Sequence, residues 1–275
     1  MVTKEKFINA DLHNHFSTFE NIGNDIFNKA MAVAQKNLGG GGIFAVVNAQ
    51  DKGLGRYETF LNLRGEIRQD LGNAFYVPSK NIYVINGQEV FTKDGHILVL
   101  GLNREVRLQD YKSLEYSLKE ARDNNGIISL DHPCFKDGVI AKNPKTYLEY
   151  FENDQIDGIE VHNGEAWLPV PGHFNSNKKA QDIYNKLCRD YNIGAISTSD
   201  GHSVREIGGS YTVLDQPDFS SPENLVESLR TSIREHKDWS QDKQTNAYLG
   251  ALNHAAKLIP SIIASKFGSD KVNYA

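Results

Sequence analysis

Apolar and polar residues along this chain fall into short alternating blocks. Runs rich in Ile, Val and Leu end in polar residues, and stretches with apolar residues at helical spacing follow them. The apolar runs at 7–12, 43–47, 82–85, 97–100, 127–130, 158–161, 194–197 and 211–214 predict strands. Helical spacing predicts helices over 24–36, 57–71 (Phe60, Leu63, Ile67 and Leu71 on one face), 114–121, 178–190, 222–235 and 245–258. Pro260 should end or kink the last of these. Gly39–Gly42 precedes a strand rather than a helix and reads as a turn, not a phosphate cradle.

Strands that alternate with helices predict an α/β fold with a mainly parallel sheet, closed as a barrel or doubly wound. No fixed-period repeat is present. The stretch 216–221, Gln-Pro-Asp-Phe-Ser-Ser, is the one candidate boundary. It divides a main body, 1–215, from a helical extension, 216–275, expected to pack on it.

Composition narrows the class. The chain has 275 residues, 39% hydrophobic and 24% charged, which fits a packed globular domain and excludes a disordered or collagen-like chain. Apolar runs fall short of the roughly 18 residues that cross a bilayer, so no membrane partner is expected. The start, MVTKEKFINADLH, lacks the long apolar stretch of a secretory leader, and Cys134 and Cys188 are too few for a disulfide framework. A cytoplasmic location is the expectation. The formal net charge of -5 argues against a protein that coats nucleic acid by charge alone. An anionic substrate stays open, because bound cations reverse the sign inside a cleft.

The histidines carry the chemical signal. His13, His15, His96, His132, His162 and His202 all sit beside predicted strand ends, most with an acid nearby. In parallel α/β folds those ends face one rim, where active sites gather. In an extended segment, residues i and i+2 point the same way, so His13 and His15 aim at one point, as do Asp200 and His202. Any one of these segments alone reads equally as an ordinary strand end or turn; together they predict a site for several ions. Imidazole and carboxylate donors without thiolate suit Zn, Mn or Fe. Glu89 and Asp200 are the natural bridging carboxylates, and two ions about 3.5–4 Å apart can clamp a phosphoryl group and activate water.

These segments, in this order, resemble the polymerase and histidinol phosphatase (PHP) superfamily: DLHNH at 11–15, NAQD at 48–51, GQE at 87–89, GH at 95–96, HP at 132–133 and SDGH at 199–202. The resemblance spans roughly residues 8–214. It implies a distorted (β/α)7 barrel holding two or three divalent ions at its strand ends, and metal-dependent phosphoester hydrolysis. It places one ion on His13, His15, Glu89 and Asp200, and a second on Glu89, His96 and His132. A third would use His202, Asp200 and Glu20. The chain departs from the family at Gln50, where a histidine is usual, and this puts the third ion in doubt.

The expected reaction is attack on phosphorus by a hydroxide held between the ions, with Glu89 and Asp200 bridging and His202 protonating the leaving group. Asp11 is expected to orient a ligand histidine from behind. Arg205, Lys52 and Arg56 are candidate phosphate contacts, or else surface cations. His162 either contacts substrate or caps the rim, and Trp167 either stacks on a base or packs. Cys134 reads as buried structure, and His236 and His254 as surface residues. The expected substrate is a small phosphorylated metabolite or nucleotide. The alternatives are a metal-binding PHP-like protein with reduced or lost activity, and a nuclease acting on nucleic-acid ends. A relative of the amidohydrolases ranks lower, because the comparable strand end offers Glu89 rather than a bridging lysine.

Overall fold

The computed structural model describes residues 7–15, 23–49, 56–63, 68–145, 147–152, 154–167, 174–187 and 191–248. In chain order the elements are β1 (Phe7–Asp11), α1 (Asn24–Leu38), β2 (Ile43–Ala49), α2 (Arg56–Asn62), β3 (Gln69–Asp70), β4 (Ala74–Val77), β5 (Ile82–Thr92), β6 (Gly95–Leu100), α3 (Leu114–Asp123), β7 (Ile127–Leu130), α4 (Val139–Lys142), α5 (Tyr147–Glu152), β8 (Gly158–Asn163), α6 (Ser176–Leu187), β9 (Gly194–Thr198), β10 (Thr212–Asp215) and α7 (Pro222–Glu235).

Ten strands form one sheet. Its main path runs β10-β1-β2-β5-β6-β7-β8-β9, with β3 and β4 as a hairpin flanking β5. β1, β2 and β5 are mutually parallel, as are β7, β8 and β9. Between the two groups β6 runs antiparallel to both neighbours. The result is a distorted, nearly closed barrel. The β5–β6 connection is a hairpin around Asp94 with no helix, so the strand–helix alternation breaks there.

The seam between β9 and β10 closes without a ladder. On the seam side of β9 the alternate amides find other acceptors. Ala195 N donates to the His236 carbonyl at 2.8 Å, Ser197 N to Thr212 Oγ1 at 2.8 Å and Ser199 N to Asp11 Oδ1 at 3.1 Å. Every amide thus finds a partner, as buried backbone requires.

Three apolar clusters fill the molecule. One lies under α3, α4 and α6 against β7–β9, and one under α1 and α2 against β2 and β5. In the third, Leu225, Val226, Leu229 and Ile233 of α7 lie among Ile8, Ala10, Ile43 and Ile196 of the sheet. α7 is capped by the Ser221 hydroxyl, which accepts from Asn224 N, and has Pro222 in its first turn.

The helix expected over 57–71 is shorter than its periodicity implied. α2 ends at Asn62, and Gln69–Asp70 is a strand paired with β4. Leu71 leaves the face that Phe60 shares with α1 and packs against the sheet cluster instead. The predicted helix over 245–258 lies mostly outside the described residues. Among the described residues, no helix is long and apolar enough to cross a membrane.

Candidate metal centre

The strand ends bring the predicted donors to one place. His13 and His15 follow β1, Glu89 lies within β5, His96 within β6, His132 just after β7, and Asp200 and His202 just after β9. His13 is completely buried, and Glu89 and Asp200 are 5% and 4% exposed. His132 and Asp200 have positive φ, 22° and 47°, the left-handed backbone that non-glycine residues adopt only under constraint.

The donor atoms of His13, His15 and Asp200 converge. His13 Nε2 and His15 Nε2 are 3.0 Å apart, and His15 Nε2 is 3.1 Å from Glu89 Oε2. Asp200 Oδ1 is 3.5 Å from both imidazole nitrogens. Donors bound at about 2.0–2.1 Å to a tetrahedral ion stand about 3.3–3.4 Å from one another. The His13, His15 and Asp200 donors all lie within 4.8 Å of one another, and Glu89 Oε2 borders this set through His15. The other oxygen of Glu89 turns away: Oε1 is 2.6 Å from His96 Nδ1 and 3.6 Å from His132 Nε2. Asp131 Oδ1 is 3.3 Å from the same His132 nitrogen. One carboxylate therefore serves two donor sets, one with each oxygen.

Electrostatics in the pocket favour cations. Burial alone would lower the pKa of His13, yet Asp200 and Glu160 override it and raise it to about 10. At His202, burial is likewise overcome by the Glu165 and Asp200 carboxylates, which raise its pKa to about 9. His132 is raised in the same way, against burial, by Glu89. His15 goes the other way: burial, helped by neighbouring His202 and His13, lowers it. Burial and the neighbouring carboxylates Glu89, Glu160 and Asp200 push Asp131 far up. Among the described residues, the buried carboxylates Glu89, Asp131, Glu160, Glu165 and Asp200 surround these histidines, a setting that favours cations.

Behind the donors stands a residue that the sequence reading passed over. Glu160, buried within β8, accepts from four groups. Oε1 takes His13 Nδ1–H at 2.9 Å and Thr198 Oγ1–H at 2.8 Å; Oε2 takes His132 N–H at 2.7 Å and Asn163 Nδ2–H at 2.8 Å. It thus fixes His13 with Nε2 facing the first donor set. Asn163 also donates to Asp200 Oδ2 at 3.1 Å. The clue was a lone acid inside an apolar strand, Ile159-Glu160-Val161.

Asp11 differs from its expected role. Its carboxylate accepts from Ser199 N, from Ser199 Oγ at 2.6 Å and from Gly208 N at 2.7 Å, and so it ties β1 to the loop after β9. The orienting of a histidine falls to Glu160 instead. Burial raises the Asp11 pKa to about 6 against these bonds. Glu165 is the other omission: its Oε1 is 2.8 Å from His202 Nδ1. His162 is turned to the rim, with Nε2 3.3 Å from the Thr245 carbonyl and Nδ1 3.4 Å from Asn177 Nδ2. Arg205 is exposed on a short 3-10 turn, Val204–Glu206. Trp167 packs on Tyr248, their ring centroids 5.3 Å apart. Cys134 is buried, its thiol pushed up to about 12 by burial. His236 is largely buried rather than a surface residue, its Nε2 3.1 Å from Asp242. Glu20, Gln50, Lys52, Cys188 and His254 lie outside the described residues, as does the side chain of Arg56.

The stretch 175–232, which contains α6, β9 with the Asp200–His202 segment, β10 and most of α7, matches the family model described as PHP-associated. The match covers about a fifth of the chain. Over this stretch the chain is similar to PHP-associated sequences. Solved structures share the fold at low identity. The lesion-specific endonuclease PfuEndoQ from Pyrococcus furiosus superposes with a TM-score of 0.56 at 15% identity, over 83% of this chain and 56% of that one. A complex of Endonuclease Q with a 27-mer duplex carrying an abasic lesion at its active site gives 0.55, again at 15% identity, over 83% and 56%. PsfC from Pseudomonas syringae PB-5123 gives 0.56 at 13% identity, over 92% and 97%. The chain spans only 56% of the length of the endonuclease structures. No curated protein matches it in sequence.

Proposed function

We propose that this chain is a PHP-type metal-dependent phosphoester hydrolase with two divalent ions bridged by Glu89. The divergence of the two Glu89 oxygens onto separate donor sets carries the reading. His13, His15, Glu89 and Asp200 would hold one ion, and Glu89, His96 and His132 the other. Bound there, such ions activate water at neutral pH and neutralise charge on a phosphoryl group. Zn, Mn and Fe all suit the donors.

The chain's own residues do the rest. Glu160 keeps His13 in one tautomer and orientation. Glu165 engages His202 Nδ1, and His202 also faces its own loop through the Asp200 carbonyl at 2.9 Å. Held so, His202 is the group suited to protonate the leaving oxygen. Arg205, exposed next to this loop, is placed to meet a phosphate that enters from solvent, with Lys52 and Arg56 as further candidates.

The substrate we favour is a small phosphorylated metabolite or nucleotide, in keeping with the net charge of -5. The endonuclease neighbours support a second reading, cleavage of nucleic acid. The test is release of phosphate from a panel of phosphomonoesters with added Mn, run beside an end-labelled oligonucleotide. Glu89→Gln should lower turnover by at least about 100-fold, the scale of a lost charge-stabilising group. Metal-replete protein inactive on both classes would leave a PHP-type metal-binding protein without catalysis.

A further inference from the structure

The second donor set contains an acid that neither the ordered segments nor the bridging argument accounts for. Asp131 follows the apolar run of β7 and is completely buried. Neither of its oxygens has a hydrogen-bond partner. A buried carboxylate normally accepts several such bonds, so this one is held for something else.

We infer that Asp131 is a fourth donor to the second ion, beside Glu89, His96 and His132. This rests on the two-ion reading above and adds a ligand to it. Two nitrogens approach Asp131 Oδ1, His132 Nε2 at 3.3 Å and His13 Nδ1 at 3.4 Å. The proton on His13 Nδ1 is already directed at Glu160, 2.9 Å away. His132 Nε2 is the nitrogen that faces Glu89 Oε1, and a nitrogen bound to an ion carries no proton. A cation between these donors would answer the lack of hydrogen bonds at both Asp131 oxygens. The 3.3 Å spacing of Asp131 Oδ1 from His132 Nε2 matches the edge between donors on a tetrahedral ion. The ligating atoms of Glu89, His96, Asp131 and His132 all lie within 4.8 Å of one another. With Asp131 included, each centre has two imidazoles and two carboxylates, Glu89 being shared.

The experiment compares wild type with Asp131→Asn, which keeps the shape and removes the charge. Both are stripped of metal, titrated with Mn and analysed for bound metal, with electron paramagnetic resonance to report whether two ions are coupled. Wild type should bind two coupled ions. The variant should keep one tight, uncoupled ion and bind the second more than about 100-fold more weakly, beyond the roughly 10–100-fold that an outer-shell contact is worth. Metal-free Asp131→Asn should melt no lower than metal-free wild type, since the substitution removes a buried acid crowded by Glu89, Glu160 and Asp200. Retention of two coupled ions at unchanged affinity overturns the inference, as does loss of the first ion or a clearly lower metal-free melting point. Two ions in wild type, one in the variant and no phosphoester turnover would sink the hydrolase reading alone. Turnover with two ions in both proteins would sink this inference alone.

Discussion

Thr212→Val tests how the barrel closes. Thr212 is completely buried in β10, and its hydroxyl accepts from Ser197 N at 2.8 Å and donates to Ser197 O at 3.0 Å. One side chain therefore replaces a rung of ladder between β10 and β9. Valine has nearly the same shape, so the packing survives while a buried N–H and C=O lose their partner. Each such orphan costs about 1–3 kcal/mol, and a methyl in place of the hydroxyl returns part of it, which leaves a net loss of about 3 kcal/mol. Unfolding entropy near 2.1 cal/mol/K per residue, over 275 residues, gives about 0.6 kcal/mol/K, so the melting temperature should fall by about 5 °C. Urea unfolding of metal-free protein measures this directly. The control is Thr212→Ser, which keeps both hydrogen bonds and removes one methyl at about 1 kcal/mol. If valine proves as stable as serine, or more so, the seam is held by packing and the hydroxyl argument is wrong.

Three other substitutions test other parts of the scaffold. Asp157 is fully buried, meets Arg122 Nη1 at 3.0 Å and Arg234 Nε at 2.6 Å, and accepts from Ile128 N at 2.8 Å; Asp157→Asn should cost about 3–5 kcal/mol in urea unfolding and leave metal stoichiometry unchanged. Glu160→Gln places an amide among four donors and should weaken the first ion by about 10–100-fold by calorimetry; an unchanged constant would mean that His13 needs no orienting partner. At Gly138 a Cβ would overlap the His132 carbonyl oxygen and Pro133, so Gly138→Ala should displace His132 and weaken the second ion while the His13–His15 ion stays bound, as titration with Mn would show.

The sequence made the mouth of the barrel legible because its candidate ligands follow or interrupt apolar runs, where a change from buried to polar is easy to see. His13 after β1, His132 after β7 and Asp200 after β9 all carry that mark. Strand direction carries no such mark. β6 has the same apolar run as its neighbours, and only the short turn after Thr92 makes it antiparallel. Periodicity misled at 57–71 for a related reason: Phe60 and Leu71 have helical spacing, yet each is buried against a different cluster. A pattern records that a residue is buried but not which neighbours bury it. Glu160 and Asp131 went unassigned on the same grounds, because an acid amid apolar residues looks like an interruption until the partners from β1, β7 and β9 are in place. The two then separate by what surrounds them. Glu160 has a donor for each interaction its oxygens can make and acts through His13, whereas neither Asp131 oxygen has a hydrogen-bond partner, which is what the inferred ligand role rests on. Counting donors around each buried acid thus assigns roles that no spacing in the chain could have distinguished.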